Sequence, residues 1–200
     1  TSLGDPLIPM RDYQEEFVDS TFLEWSEGER GLLGVAGTGL GKTVMTAYVI
    51  RRLLEHYFAK FSVSPKFLFV AHRDELIQQT IKRCRDVMPN VSIDVEMGRQ
   101  FAEVKDGYPV ADVVVSSVQT LSLKHRLERF KRDAFGGFAT DEVHRAAATN
   151  VTYYSLYSYF KDSYRLGITA TPDRSDGQSL ATSFPGRLKK IYPMLWGIEN

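Results

Sequence analysis

Short apolar runs rich in β-branched and aromatic residues alternate with helical patterns along this chain. The runs lie at 32–36, 67–71, 113–118 and 166–169, and their length and composition predict β-strands. Between them, residues 74–88 place apolar side chains at helical spacing, which predicts an amphipathic helix. Strands that alternate with helices require crossover connections, so the pattern predicts an α/β fold with a mostly parallel sheet flanked by helices on both faces.

A weaker strand signal at 138–140 completes the pattern, because Gly136 and Gly137 beside it have low strand propensity. Ligands of such sheets bind beyond the carboxyl ends of the strands. The segments that follow the predicted strands are therefore the candidate site, and they lie at 36–43, 72–75, 116–120, 141–144 and 169–172.

The first of these segments reads AGTGLGKT, follows a strand and opens a helix, which predicts a phosphate-binding loop. It differs from the usual GxxxxGK[ST] pattern only in Ala36. Backbone N–H groups of such a loop turn toward phosphate, and the following helix presents its positive end. Lys42 would bridge the β- and γ-phosphates of ATP, and the Thr43 hydroxyl would bind Mg²⁺. The predicted ATP-binding residues of the loop are Gly37, Thr38, Gly39, Leu40, Gly41, Lys42 and Thr43.

Two adjacent acids, Asp141 and Glu142, follow the weaker strand. Asp141 would hold the Mg²⁺ shell, while Glu142 would polarise the attacking water, which makes hydrolysis the predicted reaction. Taken alone, the pair is equally typical of a solvated helix start, where negative charge is favourable. Together with the phosphate loop it predicts a catalytic set of Lys42, Asp141 and Glu142.

The amino-acid composition limits which classes of partner this protein can have. Lys plus Arg and Asp plus Glu each total 25, so the chain has no global positive field, and any nucleic-acid binding must be local. The single Cys84 allows no disulfide within the chain and no cysteine cluster for zinc. No apolar stretch reaches the roughly 20 residues of a membrane span, and the first residues do not resemble a signal peptide. We therefore expect a soluble, intracellular, cytoplasmic protein with no membrane or disulfide partner.

Three of the segments, AGTGLGKT, DEVH at 141–144 and GITATP at 167–172, together resemble motifs I, II and III of the DEAD/DEAH-box superfamily 2 helicases. The resemblance spans residue 11 to about residue 177, in the branch that contains restriction-enzyme translocase subunits and DNA repair helicases. It implies a RecA-like P-loop NTPase fold, with residues 1–200 forming the first RecA-like lobe. ATP and Mg²⁺ are the implied cofactors.

By the same resemblance, Arg11 and Gln14 belong to an adenine-recognition motif that precedes the phosphate loop. Gln14 would pair with the adenine edge, since an amide both donates and accepts, and Arg11 would lie against the ring. The alternative is the polar first turn of an ordinary helix.

Two segments resemble motifs that contact nucleic acid in this superfamily. His72 and Arg73 lie in the first, where a helix start and a cation suit a backbone phosphate. Gln119 and Thr120 lie in the second, and their short polar side chains suit phosphate and sugar without selecting a base. A solvated helix start is the alternative for the first segment.

The resemblance also implies that His144, Thr169 and Thr171 couple the nucleotide site to the nucleic-acid surface and to a second lobe. Local hydrogen bonding within the core is the alternative. Thr140 departs from the pattern, because a bulky aliphatic residue usually precedes the two acids.

Residues 124–132 form the most basic stretch of the chain. They could extend a nucleic-acid track. A solvated helix face is the favoured interpretation, because Leu127 and Phe130 would supply the buried side of such a helix.

The resemblance favours DNA over RNA, because the continuation of motif III resembles the DNA-directed branch. The predicted function is therefore the ATP-binding lobe of a helicase or double-stranded DNA translocase. An RNA-directed helicase and a lone nucleotide switch acting on a protein partner remain alternatives. A chromatin-remodelling motor is disfavoured, since that branch generally ends motif III in GTP rather than ATP.

No segment resembling the second lobe of the family, with its arginine finger, is present in residues 1–200. Because an arginine finger contributes about 10³ to 10⁵ in rate, we expect the segment alone to bind ATP weakly and to hydrolyse it very slowly.

Overall fold

The computed structural model describes residues 2–37, 39–57, 65–141, 150–170 and 187–192. Its strands are β1 Gly31–Ala36, β2 Phe67–Ala71, β3 Ile93–Glu96, β4 Val104–Lys105, β5 Tyr108–Pro109, β6 Val113–Ser117, β7 Gly137–Asp141, β8 Tyr164–Thr169 and β9 Arg187–Tyr192. Its helices are α1 Asp12–Ser26, α2 Lys42–Arg52, α3 Asp74–Val87, α4 Val118–Leu121, α5 Lys124–Leu127 and α6 Asn150–Tyr159. The chain continues from α2 into a π-helical turn, Leu53–Tyr57.

Seven strands form one sheet in the order β3-β6-β2-β7-β8-β1-β9, and every pairing in it is parallel. The predicted α/β class and parallel sheet are therefore confirmed. The remaining strands, β4 and β5, form a small antiparallel hairpin whose turn residues Asp106 and Gly107 have φ of 53° and 87°. Positive φ at both central residues matches the right-handed twist of paired strands.

Successive side chains along each strand point to opposite faces of the sheet, so the core has two layers, one on each face. Phe67 and Phe69 of β2 face the layer formed with α1, α2 and α3. Leu68 and Val70 point to the opposite face, where Phe138 of β7 packs with α4 and α6. Each large side chain buried in this way stabilises the fold by about 1.5–3 kcal/mol. The sheet is thus covered on both faces, as the sequence predicts.

The predicted strand at 113–118 is one residue too long. It ends at Ser117, because the Ser117 hydroxyl accepts a hydrogen bond from the backbone N–H of Thr120 at 3.3 Å and caps α4. Val118 is apolar and buried, but it belongs to the helix. The helix predicted at 74–88 likewise ends one residue early, at Val87.

The weaker strand signal at 138–140 corresponds to β7. Packing against the neighbouring strand explains why a glycine occupies position 137. A Cβ at this position would lie 2.3 Å from the Phe67 ring on the neighbouring strand. Glycine lets the ring fill that space, so the packing of β2 overrides the low strand propensity. None of the described helices is both long enough and apolar enough to cross a membrane.

Candidate functional site

The strand register brings three predicted segments to one edge of the sheet. Asp141 at the end of β7 pairs with Ile168 of β8, and Thr169 pairs with Val35 of β1. The phosphate loop follows β1 directly, so the acid and the loop emerge side by side. Thr169 itself is completely buried between these strands.

The phosphate loop turns through two glycines with positive φ, 92° at Gly39 and 72° at Gly41. A side chain strains the backbone in this region, which is why glycine is favoured there. Gly41 is the N-cap of α2, and its carbonyl accepts the first helical hydrogen bonds, from Val44 at 2.9 Å and Met45 at 3.0 Å. Lys42 begins the helix with its Nζ 3.5 Å from the Gly37 carbonyl oxygen. The lysine therefore lies along the loop that it is predicted to serve.

Gln14 and Tyr13 connect α1 to this loop. The Gln14 amide donates to the Leu40 carbonyl at 3.2 Å, and the Tyr13 hydroxyl donates to the same oxygen at 3.0 Å. The other end of the Gln14 amide accepts from the backbone N–H of Arg11 at 3.0 Å and so caps α1. The Arg11 guanidinium donates to the Tyr13 hydroxyl at 3.3 Å. Sequence reasoning missed Tyr13, because an aromatic residue in a helix is read first as part of the core.

A cavity of about 560 Å³ opens beside the loop, and its lining combines cations with oxygen ligands. Thr43 and Asp141 both face it, and a hydroxyl with a carboxylate is the donor chemistry that Mg²⁺ prefers. Lys42, Lys82 and Arg83 supply positive charge that suits a polyphosphate. The residues present therefore fit a Mg²⁺–nucleotide. The full lining is Gly39, Gly41, Lys42, Thr43, Val44, Leu76, Gln79, Lys82, Arg83 and Asp141.

The part of this lining that comes from α3 cannot be recognised from the sequence pattern. Gln79, Lys82 and Arg83 read as the polar face of an amphipathic helix, and only the packing of α3 beside α2 turns that face toward the loop. Arg83 also pairs with Asp86 at 3.0 Å.

Four of the predicted site residues lie outside the described residues: Thr38, Glu142, His144 and Thr171.

The two predicted nucleic-acid segments meet at the carboxyl ends of β2 and β6, which are adjacent strands. The Gln119 amide donates to the His72 carbonyl at 3.2 Å and lies 3.0 Å from His72 Nδ1. Arg73 is exposed at the N-cap of α3. Gln119, His72 and Arg73 thus form one polar surface, and Thr120 lies beneath it.

Thr120 is largely buried and its hydroxyl has partners within the protein. It accepts from the backbone N–H of Gly98 at 3.1 Å and hydrogen-bonds the Ser117 hydroxyl at 2.9 Å. The contact of Thr120 with a nucleic acid stays a prediction, and its position shows that it also holds the segment after β3.

The basic stretch at 124–132 is a solvated helix face only in part, because Lys124 and His125 of α5 are exposed whereas Arg126 is not. The helix ends at Leu127, and Arg126 is only 3% exposed because it forms an ion pair with the buried Glu96. Arg129 donates to the same carboxylate at 2.6 Å. The second part of the prediction is confirmed, since Leu127 and Phe130 are buried. Several of these charges therefore serve internal contacts.

A family model described as type III restriction enzyme, res subunit, matches residues 7–174. The chain belongs to this family. The matched residues of the res-subunit family include α1, the phosphate loop, Asp141 and β8, whereas β9 lies beyond them.

Relatives of this family member are helicases and restriction enzymes. The putative ATP-dependent helicase IRC3 of Saccharomyces cerevisiae is 30% identical over 86% of this chain and 25% of its own length. The type I restriction enzyme EcoAI endonuclease subunit of Escherichia coli is 27% identical over 95% of this chain and 22% of its own length. The chain thus spans about a quarter of the length of these curated relatives.

The fold is shared with the Hef helicase domain of Pyrococcus furiosus, with a TM-score of 0.66 at 22% identity over 87% of this chain and 36% of that one. The predicted RecA-like fold is confirmed. Family, relatives and fold together identify this res-subunit family member as an N-terminal RecA-like lobe of the superfamily 2 helicase type.

Proposed function

We propose that this lobe binds ATP with Mg²⁺ and that hydrolysis of the ATP drives movement along nucleic acid, with DNA preferred over RNA. The observation that carries the proposal is the convergence of Lys42, Thr43 and Asp141 on one cavity beside the phosphate loop. The restriction-enzyme descriptions of the family and of the E. coli relative support DNA as the substrate. By the resemblance to superfamily 2 helicases, a second RecA-like lobe is the proposed partner.

The roles of the residues follow from their positions. Backbone N–H groups of the loop and the Lys42 ammonium hold the phosphates, since both lie at the positive end of α2. Thr43 and Asp141 hold Mg²⁺, which would neutralise charge on the phosphates. Glu142 follows Asp141 directly and is assigned the attacking water. Gln14 and Tyr13 fix the loop from the α1 side through the Leu40 carbonyl.

The nucleic acid would cross the edge where His72, Arg73 and Gln119 lie. Arg73 contributes charge, and the amide of Gln119 contacts phosphate or sugar, which suits movement over any sequence. Thr169 and Thr171, with His144, are assigned to coupling, because β8 pairs with both the acid-bearing strand and the strand that precedes the loop.

Steady-state ATPase turnover of the full-length protein, measured with and without DNA or RNA, tests the proposal. Turnover should rise with DNA more than with RNA. Glu142→Gln should lower it by about 10²- to 10⁴-fold, the usual contribution of a general base. Glu27→Gln is the matched control, because Glu27 is an exposed acid at the end of α1. If the ATPase rate is the same with and without nucleic acid, or is not lowered by Glu142→Gln, the motor function is excluded.

Calorimetry with ATP and Mg²⁺ tests the nucleotide site itself. Lys42→Ala should abolish measurable binding, because the main cation of the loop is lost. Lys161→Ala changes an exposed lysine on the loop before β8 and should leave binding unchanged. Retained binding in Lys42→Ala would show that the nucleotide binds elsewhere.

A further inference from the structure

The loop between β3 and the β4–β5 hairpin presents an exposed aromatic ring at the carboxyl edge of the sheet. Gly98, Arg99, Gln100 and Phe101 are all exposed, and the Phe101 side chain is 57% exposed. Among the described residues, Phe101 is the one large aromatic side chain on the exposed hydrophobic surface.

A buried ion-pair cluster holds the loop from below. Glu96 is fully buried and accepts from the backbone N–H of Ala102 at 2.7 Å and from Arg129 at 2.6 Å. Arg126 pairs with the same carboxylate and donates to the carbonyls of Gly98, at 2.9 Å, and of Gln100. Burying a carboxylate with two guanidiniums is costly unless every group is hydrogen-bonded, as they are here. The loop is therefore rigidly placed.

The same guanidiniums support the Phe101 ring. Arg126 Cζ lies 3.7 Å from the ring centroid and Arg129 Cζ lies 5.1 Å from it. This cation–π contact fixes one side of the ring, and more than half of the side chain stays open to solvent. A ring that is already ordered loses little conformational freedom when a ligand stacks on it.

The loop after β3 lies next to the polar surface of His72, Arg73 and Gln119, to which we assign the nucleic acid. The Gly98 backbone N–H donates to Thr120 at 3.1 Å, and Thr120 adjoins Gln119, which contacts His72. The strand order β3-β6-β2 places these three segments next to each other along one edge. A strand that passes His72 and Gln119 reaches the β3 loop next.

We propose that Phe101 is a stacking platform for an unpaired base of a nucleic-acid strand that crosses this edge, and that exposed Arg99 beside it contacts a phosphate. The proposal rests on the function proposed above and specifies its substrate as a strand with accessible bases. An aromatic ring next to a cation is the combination by which proteins bind single strands without sequence preference. A protein partner would require a contiguous apolar patch, whereas Phe101 is flanked in sequence by polar and charged residues and Ala102.

Binding of the full-length protein to a labelled single-stranded oligodeoxynucleotide, followed by fluorescence anisotropy, tests this. Phe101→Ala should weaken binding by about tenfold, within the range reported for one base–aromatic stack, and should leave the salt dependence of the dissociation constant unchanged. Phe101→Trp should retain affinity. Arg99→Gln should instead reduce the slope of the salt dependence by about 0.7, the contribution of one phosphate contact on a single strand.

Affinity for a strand of equal length made of abasic units distinguishes base stacking from a contact with the sugar-phosphate backbone. On this strand Phe101→Ala should bind as the unaltered protein does, because no base is available to stack. Leu23→Ala is the control, since Leu23 is also 57% exposed and lies on α1. Thermal unfolding should show that each variant is folded, with a small drop in melting temperature for Phe101→Ala, because that variant loses the cation–π contacts with Arg126 and Arg129.

Two results would overturn the inference while leaving the proposed function intact: equal affinity of Phe101→Ala and the unaltered protein on the normal strand, or an equal loss on both strands. Failure of the unaltered protein to bind any nucleic acid would overturn the proposed function and this inference together.

Discussion

Gly41 meets two requirements that no other residue can meet at once. Its φ of 72° lies in the left-handed region, and a Cβ there would lie 2.6 Å from the Gln14 amide nitrogen. The first requirement comes from the turn of the phosphate loop. The second comes from α1, because Gln14 is held between the Leu40 carbonyl and the backbone of Arg11. Gly41 is therefore needed both for the turn of the phosphate loop and for the close approach of Gln14, which holds that loop.

Gly41→Ala should therefore lower ATP affinity by about tenfold or more, since left-handed strain alone costs about 1–2 kcal/mol per residue and tenfold corresponds to about 1.4 kcal/mol. Gly28→Ala is the control, because Gly28 has a φ of 106° but nothing within 4 Å of a Cβ. It should lose stability without losing ATP affinity in calorimetry. Adding Gln14→Ala to Gly41→Ala should lower ATP affinity by less than the sum of the two single changes, because the clash between the two side chains is then absent. Unchanged affinity in Gly41→Ala would contradict this account of the loop.

At the scale of elements, β7 and α6 are joined by a buried polar contact. The Thr140 hydroxyl lies 2.8 Å from the Tyr157 hydroxyl, and both side chains are almost fully buried. Burial raises the pKa of Tyr157, while the hydrogen bond with Thr140 acts in the opposite direction. Thr140 directly precedes Asp141, so this contact holds the end of the acid-bearing strand against the helix behind it. It also explains why a hydroxyl replaces the usual aliphatic residue.

Thr140→Val should lower the free energy of unfolding by about 1 kcal/mol, because it removes the hydrogen bond between the two buried hydroxyls. Thr140→Val combined with Tyr157→Phe should cost less than the sum of the two, measured by urea denaturation. Thr80→Val provides the comparison. Within the described part of the chain, the buried Thr80 hydroxyl has no hydrogen-bond partner, so its replacement should be neutral or stabilising. Equal losses in Thr140→Val and Thr80→Val would show that the contact contributes nothing.

For the molecule as a whole, the layer that contains α3 links stability to pH through Cys84. The thiol is fully buried in that core, and burial raises its pKa to about 12 from an ordinary 9.0. The unfolded chain therefore loses this proton at a lower pH than the folded protein does. The folded state keeps the full contribution of the neutral thiol below the unfolded pKa, and loses it as the pH rises toward about 12.

Stability should accordingly fall above the unfolded pKa, with a Cys84 contribution that approaches about 1.4 kcal/mol per pH unit. Cys84→Ala should be less stable at neutral pH, because it leaves a small cavity, but its stability should fall less steeply between about pH 8 and 10. Urea unfolding of both proteins across this window measures the difference. Tyrosines and lysines titrate in both proteins and cancel in the comparison. Parallel pH profiles would show that Cys84 is not the group responsible.

The turn of the phosphate loop and the apolar strands could be predicted from the sequence because each is a local property, whereas the order of the strands in the sheet could not. The backbone turn of AGTGLGKT and the apolar run of β2 each depend only on residues that are neighbours in the sequence. A half-buried edge strand such as β3, which reads IDVE, carries too little apolar signal to be predicted in this way.

The tertiary structure alone decided which distant residues meet. Tyr13 binds Leu40, Phe67 occupies the space beside Gly137, and Arg126 pairs with Glu96. The last of these pairs shows why Arg126 could not be told apart from the solvated charges of the basic stretch, since a sequence displays a charge but not its partner. The sequence by itself determined the phosphate-loop motif and the acidic pair, because each is a run of contiguous residues. Packing between elements far apart in the chain decided how that chemistry is supported, and which charged and aromatic groups remain on the surface.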